Sequence, residues 1–218
     1  MEHGFLTALV LAAGMSRRLG QPKQLLPFRG TTLLGWALAQ VENSPAVDDV
    51  LLVLGQDHDT ILSHLTLPRA RPVIAGDYQE GCAASYRAGL AAADPRTDGV
   101  MIVPCDQPEI DTAIIERVAS AWRSVPHAIV VASYHGVLGH PFVFDRRMFP
   151  ELAVLHGDKA AWRLIDRYRD RIYTIELKRP APRNINTLED YVSLTDQLSP
   201  SRPRPGHDAR GDGHQQGS

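Results

Sequence analysis

Five short stretches of this chain, Phe5–Ala12, Val50–Leu54, Arg71–Ile74, Val100–Val103 and Ala128–Ala132, are rich in Val, Ile and Leu and show no polar–apolar alternation. A strand with that pattern has no wet face, so it must be covered on both sides. Patterns of helical length fill the gaps between them: Thr32–Glu42, Asp59–Leu65, Ala83–Ala93 and Thr112–Arg123. Thr31, Asp57 and Asp111 stand where N-caps for three of these helices are expected. Strand–helix alternation of this kind predicts a mostly parallel sheet between two helical layers, a three-layer α/β sandwich.

The second half is less regular. Pro141–Asp145 and Arg171–Leu177 read as strands, and Lys159–Arg169 reads as a helix. Thr187–Leu198 reads as a last helix, with Thr187 as its cap and Asp190 in its first turn. From Ser199 onward no large apolar residue occurs, and Pro, Gly, Arg and His dominate. Such a segment cannot bury enough surface to offset its ordering entropy. The expected organisation is therefore one domain over residues 1–198 and a disordered tail over 199–218, with His207 and His214 solvated. A length of 218 residues suits a single α/β domain.

The net charge of −2 gives no bulk attraction for nucleic acid or an anionic membrane surface. The longest apolar run, Ala8–Ala13, falls far short of the roughly 20 residues a bilayer-spanning helix needs. Glu2 and the lack of a basic leading stretch do not fit a secretory signal, so a cytoplasmic protein is expected. Two cysteines, Cys82 and Cys105, support neither a disulfide framework nor a cysteine-rich metal cluster.

Polyphosphate binding must then come from a local site, and the segment after the first strand offers one. Leu11, Ala12, Ala13 and Gly14 are mostly small and let a ligand approach the backbone, whose free N–H groups can donate to phosphate oxygens. Arg17, Arg18 and Lys23 add three positive charges within seven positions. A guanidinium grips two oxygens at once, whereas lysine acts as a mobile point charge. The spacing matches neither the P-loop nor the dinucleotide fingerprint. On composition alone, a strand–helix connection with a solvated basic face fits equally well.

A second loop ends the strand at Val100–Val103: Pro104-Cys105-Asp106-Gln107-Pro108. Asp106 falls where a parallel strand reaches the ligand-binding edge. A hard Mg²⁺ ion takes oxygen ligands, commonly one or two carboxylates with phosphate and water completing the shell. An aspartate there equally caps a turn.

Taken together, L-A-A-G-x-S-x-R-x-G-x-x-K-x-x-L-P over Leu11–Pro27 and P-C-D-Q-P over Pro104–Pro108 resemble the signature loops of the molybdenum-cofactor cytidylyltransferases. That group is a branch of the MobA-like NTP transferases. The resemblance implies a Rossmann-like sandwich of the nucleotide-diphospho-sugar transferase type. It implies Arg18 and Lys23 on the triphosphate, the Leu11–Gly14 loop against the nucleotide, and Asp106 on Mg²⁺ with Asn186 a second ligand. Gly81–Leu90 is similar to the segment G-x-S-x-S-x-x-x-G-L near the base, which brings in Ser85 and, just upstream, Asp77. Ala13 and Gln107 are the residues that favour CTP over GTP. Cys105 is expected to be a packed residue.

Of three further segments, one matches the pattern and two depart from it. Gly139-His140-Pro141 matches the G-H-P near the acceptor, but His140 fits a buried structural role as well. Gly157-Asp158-Lys159-Ala160-Ala161-Trp162 replaces G-D-x-G-A-R, losing a glycine and an arginine that Arg163 would have to replace. Asn184-Ile185-Asn186 stands in place of D-I-D, its third position, Asn186, being closer to the guanylyl-transferring branch, and the two asparagines also suit a simple turn.

The expected reaction is transfer of CMP from CTP to the phosphate of a molybdopterin-type acceptor, releasing pyrophosphate. The rivals are the same chemistry with GTP or another phosphorylated acceptor, and a carrier that delivers the cofactor to a client molybdoenzyme.

Overall fold

A computed structural model describes residues 4–16 and 18–198. Arg17, His207, His214 and the tail expected over 199–218 lie outside the described residues. In chain order the elements are β1 (Phe5–Ala12), β2 (Pro27–Phe28), β3 (Thr31–Thr32), α1 (Leu33–Glu42), β4 (Asp49–Leu54) and α2 (His58–Leu62). They continue with β5 (Arg71–Ile74), α3 (Cys82–Ala92), β6 (Thr97–Pro104), α4 (Thr112–Ser124), β7 (Ile129–Tyr134) and β8 (Val137–Asp145). The last are α5 (Phe149–Ala153), α6 (Ala160–Arg167), β9 (Ile172–Glu176) and α7 (Leu188–Leu198).

Seven strands form one sheet in the order β5-β4-β1-β6-β8-β7-β9, while β2 and β3 make a separate hairpin. Only β8 runs against its neighbours, pairing antiparallel with both β6 and β7. The expected mostly parallel sandwich is thus what forms. Alternate residues of β1 face opposite layers. Leu6, Ala8 and Val10 pack with α1 and α4, through residues such as Leu38 and Ile115. Leu9 faces the other way, toward Ala83 and Tyr86 of α3 and Leu164 of α6. A Cβ at Gly89 would meet Leu9 Cδ1 at 2.8 Å, so α3 can lie this close to the sheet only with glycine there.

Four expectations need correction. The cap of α1 is Thr32, not Thr31: its side chain accepts from Gly35 N at 3.0 Å, the N3 position counted from Thr32. Arg71–Ile74 is not buried on both faces; β5 is an edge strand with Arg71, Pro72 and Ile74 exposed. Pro72 belongs at an edge, since proline cannot complete a central ladder. Asp111 does cap α4 through Ile114 N, whereas Asp57 makes no side-chain capping bond. In the second half, the strand expected at Pro141 begins earlier, at Val137, as the return arm of a hairpin from β7.

A third, smaller cluster joins Leu26, Phe28 and Leu33 to Ile185 and Leu194. It brings the segment before α7 back across the molecule to the start of the chain, beside the carboxyl ends of β1 and β6.

Candidate active site

The first wall of the site grows out of β1. Gln24, only 2 % exposed, donates from Nε2 to the carbonyls of Ala12 (2.6 Å) and Gly14 (3.0 Å). Its Oε1 accepts from the Ser16 hydroxyl at 3.3 Å, and that hydroxyl in turn accepts from Lys23 N at 3.0 Å. The loop after β1 is therefore folded around one buried amide side chain. Within the quoted motif Gln24 fell on an unspecified position, so sequence reasoning passed over it; a lone glutamine beside the pattern gives no sign that it will be buried.

The opposite wall is the end of β6. Cys105 N donates to Leu11 O at 3.1 Å, which locks the two strand ends together. Asp106 follows, and its Oδ2 accepts from Lys23 Nζ at 2.6 Å, with that ammonium also donating to Ile185 O at 3.2 Å. The pair is largely shielded, with side-chain exposures of 12 % for Lys23 and 20 % for Asp106. Burial pushes the Cys105 thiol up to about 12, so it stays protonated and packed, not nucleophilic.

The third wall is the segment before α7. Ile185 N donates to Asp106 O at 2.9 Å, and Ile185 itself is fully buried. Asn184 and Asn186 flank it, and both line the cavity that also holds Lys23 and Asp106. Arg183 is clamped to Glu109 by its backbone N–H at 2.8 Å and by Nη2 at 2.9 Å. Beyond Asn186, Thr187 N donates to Asp190 Oδ2 at 2.8 Å and Asp190 N to Thr187 Oγ1 at 3.1 Å, the reciprocal box that starts α7.

The fourth wall is the start of α3. Gly81 has φ +94°, and a Cβ there would lie 2.3 Å from Asp158 Oδ1, so only glycine fits. Asp158 then accepts from Cys82 N at 3.3 Å, tying the α5–α6 connection to the first turn of α3. Ser85 and Tyr86 of that helix line the same cavity and are nearly buried.

These walls enclose a cleft of about 530 Å³ at the carboxyl edge of β1 and β6, the place where open α/β sheets bind ligands. Of the expected residues, Leu11, Ala13, Gly14, Lys23, Ser85, Asp106 and Asn186 line it. Ala12, Arg18 and Asp77 do not. Ala12 is 2 % exposed in the core, and its contribution is the carbonyl held by Gln24. Arg18 is exposed, and its charge acts on Asp190, whose carboxyl is held low first by the Asn186 N–H. Asp77 is exposed and precedes the turn Tyr78–Glu80. Arg163 does not make up for the arginine missing at 162: it donates to the carbonyls of His156 (2.6 Å) and Asp158 (3.1 Å). Lys159, which sequence reasoning left without a role, lines the cleft in its place.

Comparison with known proteins decides what kind of cleft this is. Residues 8–172 match the MobA-like NTP transferase domain. The chain belongs to the MobA-like NTP transferase family. Rv0371c from Mycobacterium tuberculosis H37Rv has the same fold, with a TM-score of 0.82 and 36 % identity over 89 % of this chain and 100 % of that one. The same protein in complex with manganese superposes with a TM-score of 0.78 at 35 % identity, over 88 % of this chain and 98 % of that one. The nicotine blue oxidoreductase of Paenarthrobacter nicotinovorans is 33 % identical over 72 % of this chain and 79 % of its own length. A probable molybdenum cofactor guanylyltransferase of Trichormus variabilis is 25 % identical over 94 % of this chain and 98 % of its own.

Membership of this MobA-like family makes the chain an NTP-transferase-type enzyme and bears out the resemblance carried by the two loops. It does not carry the cytidylyl refinement, since the molybdenum-cofactor transferases matched are guanylyltransferases. Among the described residues no helix is long and apolar enough to cross a membrane.

Proposed function

We propose that the cleft transfers a nucleoside monophosphate from an NTP to the phosphate of a molybdopterin-type acceptor, with CTP as the nucleotide. The observation that carries this reading is the shielded Lys23–Asp106 pair, set between the β1 loop and the amide-bearing segment Asn184–Asn186.

The residues present suit a divalent cation. Asp106 offers a carboxylate and Asn186 an amide carbonyl, both hard oxygen donors on the cleft wall. No group of three His, Cys, Asp or Glu side chains assembles among the described residues. The ion would thus keep room for phosphate oxygens and water, which Mg²⁺ prefers. Bound there, Mg²⁺ would neutralise charge on the phosphates.

The chain's own groups supply alignment. Lys23 leaves Asp106 for the triphosphate and meets the charge that develops on the transferring group. The β1 loop, held by Gln24, presents backbone N–H groups to the phosphates. The acceptor's ionised phosphate oxygen forms a bond to the α-phosphorus as the bond to the bridging oxygen breaks, and pyrophosphate leaves with that electron pair. No proton has to move, so holding the two substrates in line accounts for the catalysis.

A second reading, GTP as donor, is favoured by the names of the curated molybdenum-cofactor relatives and by asparagine at 186. One assay separates the two: pyrophosphate release with molybdopterin and Mg²⁺, comparing CTP, GTP and ATP. Preference for CTP is expected, with no release from Asp106→Ala. Preference for GTP moves the donor and leaves the chemistry in place. Near-normal turnover by Asp106→Ala overturns the metal assignment, whereas binding to a client molybdoenzyme with no turnover of any NTP overturns the transferase reading in favour of a carrier.

A further inference from the structure

The cleft uses the carboxyl edge of β1 and β6. The opposite edge of the same sheet holds a second cavity, of about 550 Å³, that shares no lining residue with it. Topology puts it there. Because β8 runs antiparallel to both β6 and β7, the start of β7 lies at the far end of the sheet from Asp106. Three chain segments meet at that end: residues 126–128 lead into β7, 147–148 follow β8, and 168–171 lead into β9. Ile129 pairs with Phe144 on one side and Ile172 on the other, and Asp145 N donates to Ala128 O at 3.0 Å. Strand register thus fixes the three walls against one another.

The cavity carries a cation with nothing to hold. Nearby arginines are paired: Arg167 with Glu151 at 3.2 Å, Arg169 with Asp166 at 2.9 Å, and Arg147, through Nε, with Asp145 at 2.7 Å. Arg171 lines the wall and makes no side-chain hydrogen bond or ion pair among the described residues. Arg147 is only partly committed, since its terminal nitrogens reach Pro126 O at no less than 3.4 Å. His127 shares the wall, and its Nδ1 is buried without a hydrogen-bond partner, a state that folded chains rarely leave without a ligand or water.

The charge present suits a single negative charge. One carboxylate, that of Asp170, lines the cavity against the two guanidiniums. A dianionic phosphate would meet that carboxylate with its second charge, whereas a carboxylate matches the planar fork of one arginine. The remaining wall is apolar. Met148 is nearly buried, Pro126 stands beside it, and the Tyr168 hydroxyl is committed to Glu151 Oε1 at 2.7 Å, so Tyr168 contributes its ring. A cavity of this size takes a ligand with an apolar body instead of a bare ion.

We infer that this cavity is a binding site for a small aromatic carboxylate, separate from the catalytic cleft. Arg171 grips the carboxylate with its fork, Arg147 adds a second positive charge, and the flat body lies against Met148, Pro126 and the Tyr168 ring.

The probe is benzoate, titrated into the full chain by calorimetry. Saturable binding is expected, unchanged by saturating CTP. Acetate, which lacks the body, and benzamide, which lacks the charge, should each bind at least tenfold more weakly, and inorganic phosphate should not displace benzoate. Arg171→Gln should weaken benzoate tenfold or more with the melting temperature unchanged, because Arg171 has no partner in the fold to lose. Arg171→Lys, which keeps the charge without the fork, should recover part of that loss. Arg169→Gln removes an equal charge next door but off the wall, and should leave affinity within twofold of the parent. Absence of saturable binding, benzamide as tight as benzoate, displacement by phosphate, or an equal loss in Arg169→Gln overturns the inference. Competition with CTP also overturns it, by placing benzoate in the cleft. None of these outcomes bears on pyrophosphate release from NTP, so this inference stands or fails apart from the transferase reading.

Discussion

The two halves of the cleft are made of different material. The half after β1 and β6 is built from charge and backbone: Lys23 on Asp106 at 2.6 Å, and a loop whose carbonyls are held by Gln24. The half over β8 is built from rings and amides: His140, Phe142 and Trp162 packed together, with Gln107 on Asn184. Charge placed at a strand end serves any triphosphate, so it favours reaction over recognition. Rings and amides discriminate by shape and hydrogen-bond pattern, so they favour recognition over reaction. Changes in the first half should act on turnover, and changes in the second on which acceptor is used.

The sharpest test of that division is Asp106→Ala. Loss of one preorganised electrostatic contact typically costs about 10²–10³ in rate. Turnover should fall by at least that much, with circular dichroism and acceptor binding unchanged. A variant that lost acceptor affinity along with turnover would show that the two halves are not separable.

Gln24→Leu probes the same half through its backbone. The change leaves the Ala12 and Gly14 carbonyls without their amide donor in a nearly dry site, at a cost of about 1–3 kcal/mol. A lower melting temperature and a raised KM for nucleotide are expected, with KM for the acceptor little altered. Equal change in both constants would mean that the loop supports the whole cleft instead of one side.

How much of this was legible beforehand follows the same line. The sheet was readable because its strands are apolar without alternation, and burial on both faces enforces that pattern residue by residue, as at Leu51–Leu54. Asp106 was picked out because it follows the end of β6, and Lys23 because it falls on a fixed position of the loop motif; the structure pairs them at 2.6 Å. Trp162, Lys159 and Gln24 were not, for they meet the site through tertiary packing, as Trp162 does on His140 and Phe142, or through a local fold with no periodicity. Arg18 and Asp77 stand apart from these. A charge near a motif draws attention, yet both side chains are exposed and away from the cleft wall.

Acid should act on the ring-built half. His140 has a folded pKa lowered by burial from 6.5 to about 4, so between those values the unfolded chain binds a proton that the folded chain refuses. Stability is then full above pH 6.5 and falls as pH drops toward 4, by at most about 1.4 kcal/mol per unit of that window. Chemical denaturation at a series of pH values should show this slope, and His140→Phe should flatten it. An unchanged slope in the variant would place the acid sensitivity elsewhere.

The smallest effect belongs to the hinge between the halves. Thr187 caps α7 and, with Asp190, fixes the end of the segment that carries Asn184 and Asn186 past Asp106. Thr187→Ala should cost about 1 kcal/mol, the usual worth of an N-cap. Because Ile185 stays anchored in its apolar cluster and on the Asp106 carbonyl, the loss should appear as a small drop in melting temperature. Turnover and acceptor affinity should move together, and by less than threefold, since Asn186 serves one half and Asn184 the other from a single stretch of backbone. A drop confined to turnover would show that Asn186 alone depends on the cap, with Asn184 held by its bond to Gln107.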